Sequence, residues 1–562
     1  MSQKTDILNV RFFVLVSLAL LMASLTFSVY MMSVSQFLMA GFWLIDGMEL
    51  RFSNTESLSH YRWQRFFKNA SSFFSALFRN FLHKIALFFR NKPALIFASI
   101  FLMHVLGVIH STDLGYALKD LRTKMPLILL PLFLGTTAAL SRKELKILLL
   151  IYVGAITINT FISTWIYLTQ QVTDPREISI YISHIRFSLN ICLAIFALIY
   201  LIHSDKTIHP RVKIVLGSLA VWLFVFLFLL KSLSGIMSLV AVTLILSLYF
   251  MLKIKSLALK LLLFLSLLLV PVYLVFFTYS ALRSYSTPEP ILFDTLATHT
   301  ALGNPYIHDT ATLCIENGRY VGLYLSWDEL QEAWNQHSTI DFMGLDAKNQ
   351  EIRFTLVRYL SSKNLRKDAS GISNLSPKDI NNIELGVANI EYLKPLSLKI
   401  KIYEAASGFI NMGLTGNPNA NSFLQRIEYW KASWWLIQKN PIVGVGTGDM
   451  NIAFRQAYIE MDSPLLEQWR WRSHNQYLSI CVGFGVIGML WFLFAMFYPA
   501  WRLKGHKNFL FVVFFIIALS SMLVEDTIET QAGVTFFALF YALFLLIETD
   551  ETNTRQPAEQ DL

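Results

Sequence analysis

Residues 476–501, "QYLSICVGFGVIGMLWFLFAMFYPAW", contain no Asp, Glu, Lys, Arg or His. A run of this length is long enough to cross about 30 Å of hydrocarbon as a helix. Other runs of the same character recur along the chain, and together they constrain it more than any motif. The composition follows from them: 54% of the 562 residues are hydrophobic, 15% are charged, and the mean hydropathy is +0.49. Soluble domains carry about 25% charged residues. The sequence therefore predicts an all-α polytopic membrane protein.

Twelve spans are expected, at 10–29, 31–46, 94–111, 124–140, 145–169, 184–203, 211–230, 233–252, 257–279, 476–501, 508–524 and 530–547. The first, "NVRFFVLVSLALLMASLTFSVY", is too long for a signal peptide and no A-x-A site follows, so it reads as an uncleaved span. The net charge of +9 raises nucleic acid as a partner. Most Lys and Arg, however, sit in short loops beside apolar runs, which is an orientation signal. Segment 47–93 is rich in them, from Arg51 to Lys92, and later loops carry Arg142 with Lys143, Lys253 with Lys255, and Arg502 with Lys504. These loops are expected in the cytoplasm, and the alternate loops on the outer face. Of three cysteines, Cys192 and Cys481 lie in apolar runs, leaving only Cys314 for solvent, so no disulfide framework or CxxC metal spacing exists.

The domain reading follows from these spans. Residues 1–279 hold spans one to nine, 280–475 form a large mixed α/β insertion on the outer side, 476–548 hold spans ten to twelve, and 549–562 form an acidic tail. Within the insertion, "SWDELQEAW" suggests a capping box between Ser326 and Glu329, and "SPKDINNIEL" places Ser376 as N-cap before Pro377. "RYVGLYLSW" reads as a short strand.

Three features on the outer side carry chemistry. Arg186 sits inside the apolar stretch of span six, where an ionisable group is costly unless it snorkels to lipid phosphate or meets another anion. The stretch 421–449, "NSFLQRIEYWKASWWLIQKNPIVGVGTGD", predicts a helix capped by Asn421 or Ser422. Its apolar stripe is Phe423, Ile427, Trp430, Trp434 and Ile437, and it stops at Pro441. Arg426 lies one turn before Trp430. The glycines that follow come after a helix rather than a strand, so they are a tight turn allowing close backbone approach, not a dinucleotide fingerprint. Finally, "RWRSHNQYL" puts Arg472, His474, Asn475 and Gln476 at the entrance of span ten. Asn475 and Gln476 either orient the imidazole, bind sugar hydroxyls or cap the span. Lys119, Arg122 and Lys124, on the outer side against the charge trend, either attract an anionic donor or pair with Asp113 and Asp120. Glu525, Asp526 and Glu529 either brace an arginine, contact an acceptor or form a solvated acidic loop, the last being the plainer reading.

These residues resemble the bacterial O-antigen ligase and O-antigen polymerase superfamily. The resemblance rests on "SHNQYL" opening a late span, on "RIEYW" followed by "NPIVGVGTGD", on Arg186 in span six and on "SLSGIMSLVAV" in span eight. The first 140 residues, and "ENGRYVGLYLSWDELQEAW" through "TLVRYLSSKNLRKDASG", resemble a Bacteroidetes-type branch with an enlarged outer loop. The resemblance implies transfer of a preassembled glycan from undecaprenyl diphosphate to an acceptor on the periplasmic face of the inner membrane. It implies catalytic roles for Arg186, Arg426 and His474. Substrate contacts are expected from Lys231, Arg122, Lys124, Asn475, Gln476 and Arg472, with no metal and no cofactor. Lys231 stands where many members have Arg, so it supplies a point charge without the planar fork. Lipid A–core as acceptor makes a ligase, another lipid-linked glycan a polymerase, and a protein an O-oligosaccharyltransferase. A transporter or flippase is the rival class. It fits less well, because no internal repeat is found and the charged candidates gather at one surface rather than mid-membrane.

Overall fold

The computed structural model describes residues 10–48, 62–170, 175–204, 208–286, 290–310, 315–393 and 422–547, together with Val172, Ile400, Tyr403, Pro418 and Asn419. Cys314, Arg51, Asn421 and the acidic tail lie outside the described residues.

The fold is mostly helical. The first eleven helices are α1 (Val10–Ser24), α2 (Val29–Ile45), α3 (Arg62–Arg90), α4 (Lys92–Leu106), α5 (Leu114–Lys124), α6 (Pro126–Leu134), α7 (Arg142–Thr169), α8 (His184–Ser204), α9 (Pro210–Leu229), α10 (Leu233–Lys253) and α11 (Leu257–Ser286). Then come α12 (Trp327–His337), α13 (Ile352–Ser362), α14 (Ala369–Ser373), α15 (Pro377–Glu384), α16 (Ser422–Lys439), α17 (Met450–Glu460), α18 (Gln476–Arg502), α19 (Phe509–Met522) and α20 (Gln531–Tyr541). Five of these, α7, α8, α9, α10 and α18, are long and apolar enough to cross a membrane. The count becomes six if α3 and α4, bent by 94° where they meet, form one broken span. Helices α1, α2, α19 and α20 are apolar but shorter. The fourth expected span is the least regular. Its helix, α6, covers only Pro126–Leu134, a length of roughly 14 Å at 1.5 Å per residue. A proline opens it and another, Pro131, lies inside it, so backbone donors are missing where a longer helix would need them.

The chain divides into two compact units: residues 1–245, 429–461 and 471–562 form the first, and 246–428 with 462–470 the second. In the first unit α8 and α20 are the most enclosed helices. Every residue from Arg186 to Leu198 is buried, as is every residue of α20 after Gln531. Around them α1 packs on α2 and α7, α8 on α9 and α19, α4 on α6 and α18, and α20 on α6.

The glycine turn after α16 explains how α18 is held. Gly444 and Gly485 both adopt left-handed backbone angles, φ 70° and 63°. A Cβ on Gly444 would stand 2.3 Å from the backbone of Gly483 and Phe484, and one on Gly485 would stand 2.2 Å from the Ile442 carbonyl. Only glycine permits two backbones to meet this closely. The contact is sealed by Val445 N–H to Val482 O (2.9 Å), Gly446 N–H to Gly483 O (2.9 Å) and Val486 N–H to Pro441 O (2.8 Å). It also breaks α18 at Gly485. Thr447 and Asp449 extend the seam. The Thr447 hydroxyl donates to His104 O at 2.6 Å, and the Asp449 carboxylate accepts the Thr112 and Asp113 amides at 2.9 Å. Those amides hold the Asp449 carboxyl below its usual range against the opposing effect of burial. Gly444→Ala should therefore cost at least about 2 kcal/mol, the scale of a strained non-glycine residue combined with an overlap. Thermal unfolding of the purified protein in detergent measures it.

The second unit, taken by itself, packs α12, α13 and α15 around Trp334, Leu356, Tyr359, Leu360 and Ile383. Strand is scarce among the described residues. One antiparallel hairpin pairs Ile315–Glu316 with Arg319–Tyr320, so "RYVGLYLSW" contributes only its first two residues to a strand. Ser376 caps α15 as expected, in a box completed by Asp379. The box expected at Ser326 does not form. Glu329 turns inward instead and accepts from Thr300 Oγ1, Asn304 Nδ2 (2.7 Å) and the Ala369 amide (3.2 Å). A buried carboxylate serving three donors outweighs a single exposed capping bond.

Candidate functional site

The loop from Glu525 to Glu529, between α19 and α20, organises one end of the first unit. Asp526 is its centre. Its Oδ1 accepts from Ser479 Oγ at 2.7 Å and Ser473 Oγ at 3.2 Å, and its Oδ2 accepts the His474 backbone N–H at 3.2 Å. Its carbonyl oxygen accepts from Arg186 Nη2 at 2.9 Å. Burial, with Glu529 close by, raises the Asp526 carboxyl above its usual range, while His474 and Ser479 oppose the shift. A single loop residue thus ties together two groups separated by almost 300 positions.

Arg186, one turn into α8, is 8% exposed. Its Nη1 is buried and has no hydrogen-bond partner among the described residues. A guanidinium carries five donors in a fixed fork, so half of this fork is committed to Asp526 and the other half is open to an anion.

His474 has a left-handed backbone, φ 44°. That conformation is sparsely populated for non-glycine residues and costs about 1–3 kcal/mol, which the bond to Asp526 helps to offset. The turn aims the imidazole at two neighbours. Nδ1 lies 3.6 Å from Glu525 Oε2, and the ring centre lies 5.4 Å from that of Tyr429 on α16. Nδ1 is buried without a hydrogen-bond partner, whereas the side chain as a whole is 36% exposed. The exposed part of the side chain therefore lies away from Nδ1.

A second layer fixes this arrangement. Glu529 accepts from Lys124 Nζ at 2.8 Å, Arg472 Nη1 at 3.0 Å and Gln476 Nε2 at 3.0 Å. Burial would raise the Glu529 carboxyl, but Lys124 and Arg472 outweigh it and hold it well below its usual range. Lys124 also meets Asp120 at 2.6 Å, and Arg472 meets Asn451 at 3.0 Å and the Tyr116 hydroxyl. Asp120, sharing Lys124 with Glu529, is pushed upward by burial and by that second carboxylate. The sign for stability follows from the Glu529 shift. A depressed carboxyl contributes fully above the unfolded value near 4.3 and loses its contribution only as pH falls toward the lower folded value. Glu529→Ala should leave Arg472 without its carboxylate and Lys124 with Asp120 alone, lowering stability by up to about 3–5 kcal/mol. Detergent-solubilised protein should then melt at a clearly lower temperature at neutral pH.

The expected site residues accordingly separate. The structure brings Arg186 and His474 together on Asp526. Arg426 stands on α16 three residues before Tyr429, whose ring faces His474. Lys124, Gln476 and Arg472 are enclosed in the bracing network, with Gln476 fully buried and bonded to the Ile528 amide at 2.8 Å. Lys124 pairs with Asp120, while Asp113 caps α5. Asn475 caps α18 through the Leu478 amide and donates to Leu523 O at 2.9 Å. Arg122 is exposed on α5. Lys231 occupies a left-handed turn before α10, next to Ser232, whose hydroxyl meets Ser188 Oγ at 2.8 Å two residues beyond Arg186. On α16 the packed face is Leu424, Tyr429, Ala432, Ser433 and Leu436, while Phe423 and Trp434 of the expected stripe are exposed. The acidic loop is not solvated: Glu525 is buried, and Asp526 and Glu529 are partly so.

A family model described as O-antigen ligase matches residues 392–493. Over that segment the chain is similar to the O-antigen ligase and polymerase superfamily, and the match supports that family. No curated protein matches it. The matched segment includes Arg426, Tyr429, the glycine turn and His474, whereas Arg186 and the acidic loop lie outside it. This is a ligase-type glycosyltransferase family, and the apolar helices make the chain a multi-pass membrane protein.

Proposed function

We propose that the chain transfers a preassembled glycan from undecaprenyl diphosphate to an acceptor hydroxyl at the periplasmic face of the inner membrane, with lipid A–core as acceptor. The observation that carries the reading is the convergence on one loop residue, Asp526, of a half-committed buried guanidinium, Arg186, bonded to its carbonyl oxygen, and of His474, whose backbone N–H is bonded to its carboxylate.

The step balances as follows. The acceptor O–H gives its proton to His474 Nε2 while its oxygen bonds to the anomeric carbon of the donor sugar. The bond from that carbon to the diphosphate oxygen breaks, and the electron pair leaves on the diphosphate. Arg186, and Arg426 from α16, take up the charge that develops there through charge-assisted hydrogen bonds. Glu525 beside Nδ1 stabilises the imidazolium and favours the tautomer with its lone pair on Nε2. Lys231 and Arg122 draw the anionic donor toward this end of the bundle. Arg472, Lys124, Asn475 and Gln476 position the loop and the start of α18. In this reading α1, α2, α4, α6, α11, α19 and α20 also lie in the membrane and with the five long helices make twelve crossings, and 280–475 is a periplasmic domain.

One assay decides among acceptors. Purified enzyme and an undecaprenyl-diphosphate-linked glycan are offered lipid A–core, a second lipid-linked glycan, and a Ser/Thr peptide. Transfer to lipid A–core is expected; transfer only to either of the others rejects the ligase assignment, and transfer to none rejects the enzyme. Among the described residues no group of three or more His, Cys, Asp or Glu side chains is arranged to hold a metal ion. Activity is expected to survive EDTA. Loss on chelation with recovery on adding Mg²⁺ or Mn²⁺ would overturn the metal-independent mechanism.

A further inference from the structure

The second unit contains a cavity of about 420 Å³, within the size range of small-ligand sites. Its lining includes Arg319, Tyr320, Tyr324, Arg366 and Lys367. Lys367 is the unusual member. It is 4% exposed, and its ammonium group makes no hydrogen bond among the described residues. Burying an ammonium without a partner is costly, so such groups are normally paired. Burial first, and then Arg319, lower its pKa to about 8, which still leaves it cationic at neutral pH.

Asp368 offsets this charge only in part, against the neighbouring Arg319. The adjacent carboxylate, Asp368, is occupied by the Tyr306 hydroxyl, by Ser370 Oγ at 2.9 Å and by the Gly371 amide at 2.8 Å. Arg366 lies over the ring of Tyr324 at 4.9 Å and adds a further cation to the rim. The backbone of Lys367 is pinned on both sides, its N–H to Tyr324 O at 3.0 Å and its carbonyl to the Ser326 amide at 2.9 Å. The lysine is thus held in place on a cavity wall with two arginines and two phenol rings.

We propose that this cavity binds an acidic saccharide, with its carboxylate or phosphate on Lys367 and Arg319 and its sugar ring against Tyr320 and Tyr324. The anion follows from the cavity alone; that the anion is carried on a sugar rests on the glycan-transfer reading. An acidic group supplies the Lys367 ammonium with a hydrogen-bond acceptor, and the Tyr320 phenol, with the remaining surface of Tyr324, offers an apolar face with a polar tip, as a pyranose ring requires.

The test uses full-length protein in nanodiscs carrying His474→Ala, so that binding is read without turnover and a failure of the transfer mechanism does not disturb it. Four probes are titrated calorimetrically: trigalacturonate, glucose 1-phosphate, maltotriose and inorganic phosphate. At least one charged sugar is expected to bind about tenfold or more tightly than both maltotriose and inorganic phosphate. The two charged sugars distinguish a carboxylate from a phosphate ligand. Lys367→Met, which keeps the aliphatic stem, and Arg319→Gln, at a half-buried position, should each weaken that binding about tenfold. No measurable binding of either charged sugar overturns the assignment. So does maltotriose or inorganic phosphate binding as tightly as the better charged sugar, and so does unchanged affinity in both variants.

Discussion

His474→Ala is expected to lower glycan transfer by roughly 10²–10⁴, or about 2.7–5.5 kcal/mol of barrier, while the protein remains in the membrane. An acceptor hydroxyl is a poor nucleophile until its proton has somewhere to go. The imidazole is the group placed to take it: Nδ1 faces Glu525 at 3.6 Å, and about a third of the side chain is exposed. That distance is slightly longer than a hydrogen bond, and such contacts commonly tighten only when the reacting groups are assembled. The fold does not depend on the ring, because the bond to Asp526 comes from the His474 backbone. The variant should therefore keep its melting temperature and lose kcat, with donor binding largely intact. Full activity in this variant would reject the base assignment. Glu525→Gln supplies a finer reading. It should reduce kcat less than His474→Ala, because it removes stabilisation of the imidazolium without removing the base.

The membrane part of this architecture is legible in the sequence because lipid leaves few alternatives. A long uncharged run must satisfy its backbone internally, and a helix does so. Helices occupy all twelve apolar segments read from the sequence, although only five of them are long enough to cross on length and composition. The glycine turn was legible for a similar reason. Closely spaced glycines after a helix stop have little use except close backbone approach, and Gly444 meets Gly483 in that way. Arg186 and His474 stood out because polar groups at the edges of apolar runs are costly.

The acidic loop was not legible. Glu525, Asp526 and Glu529 sit in a short acidic connection, and by itself such a connection reads as solvated. What buries it is distant in sequence: Lys124 and Arg472 close on Glu529 from 405 and 57 residues away. No local pattern carries that information, and only the packing of α5 and α18 against the start of α20 creates it. The same cause moved Lys124, Arg472 and Gln476 from expected substrate contacts into the brace. Tyr429 was visible inside "RIEYW", but its neighbour His474 lies 45 positions later and emerges only when α16 packs beside the entrance of α18. Glu329 is the converse case, where a local capping signal gave way to three buried donors.

Arg186→Ala is the second variant expected to have a large effect, lowering transfer by about 10²–10³. Its contribution differs in kind from that of His474. The guanidinium commits Nη2 to the Asp526 carbonyl and leaves Nη1 buried and unpartnered among the described residues. An open donor in a low-dielectric setting is worth most when negative charge grows in front of it, which occurs as the diphosphate departs. The effect should therefore appear in kcat more than in donor affinity. Because Arg186 also ties α8 to the 525–529 loop, lost activity alone would not separate a catalytic role from a structural one. Arg186→Lys provides the separation. It keeps the positive charge but not the planar fork, so it cannot easily serve Asp526 and a phosphate oxygen together. If the group acts on the diphosphate, the lysine variant should fold, bind donor and transfer at an intermediate rate. The deficit of both variants should shrink with donors whose diphosphate is replaced by a leaving group that develops less charge. If instead the melting temperature alone tracks activity across Ala, Lys and wild type, and the deficit is indifferent to the leaving group, Arg186 is a structural tie and the charge must be met by other cations.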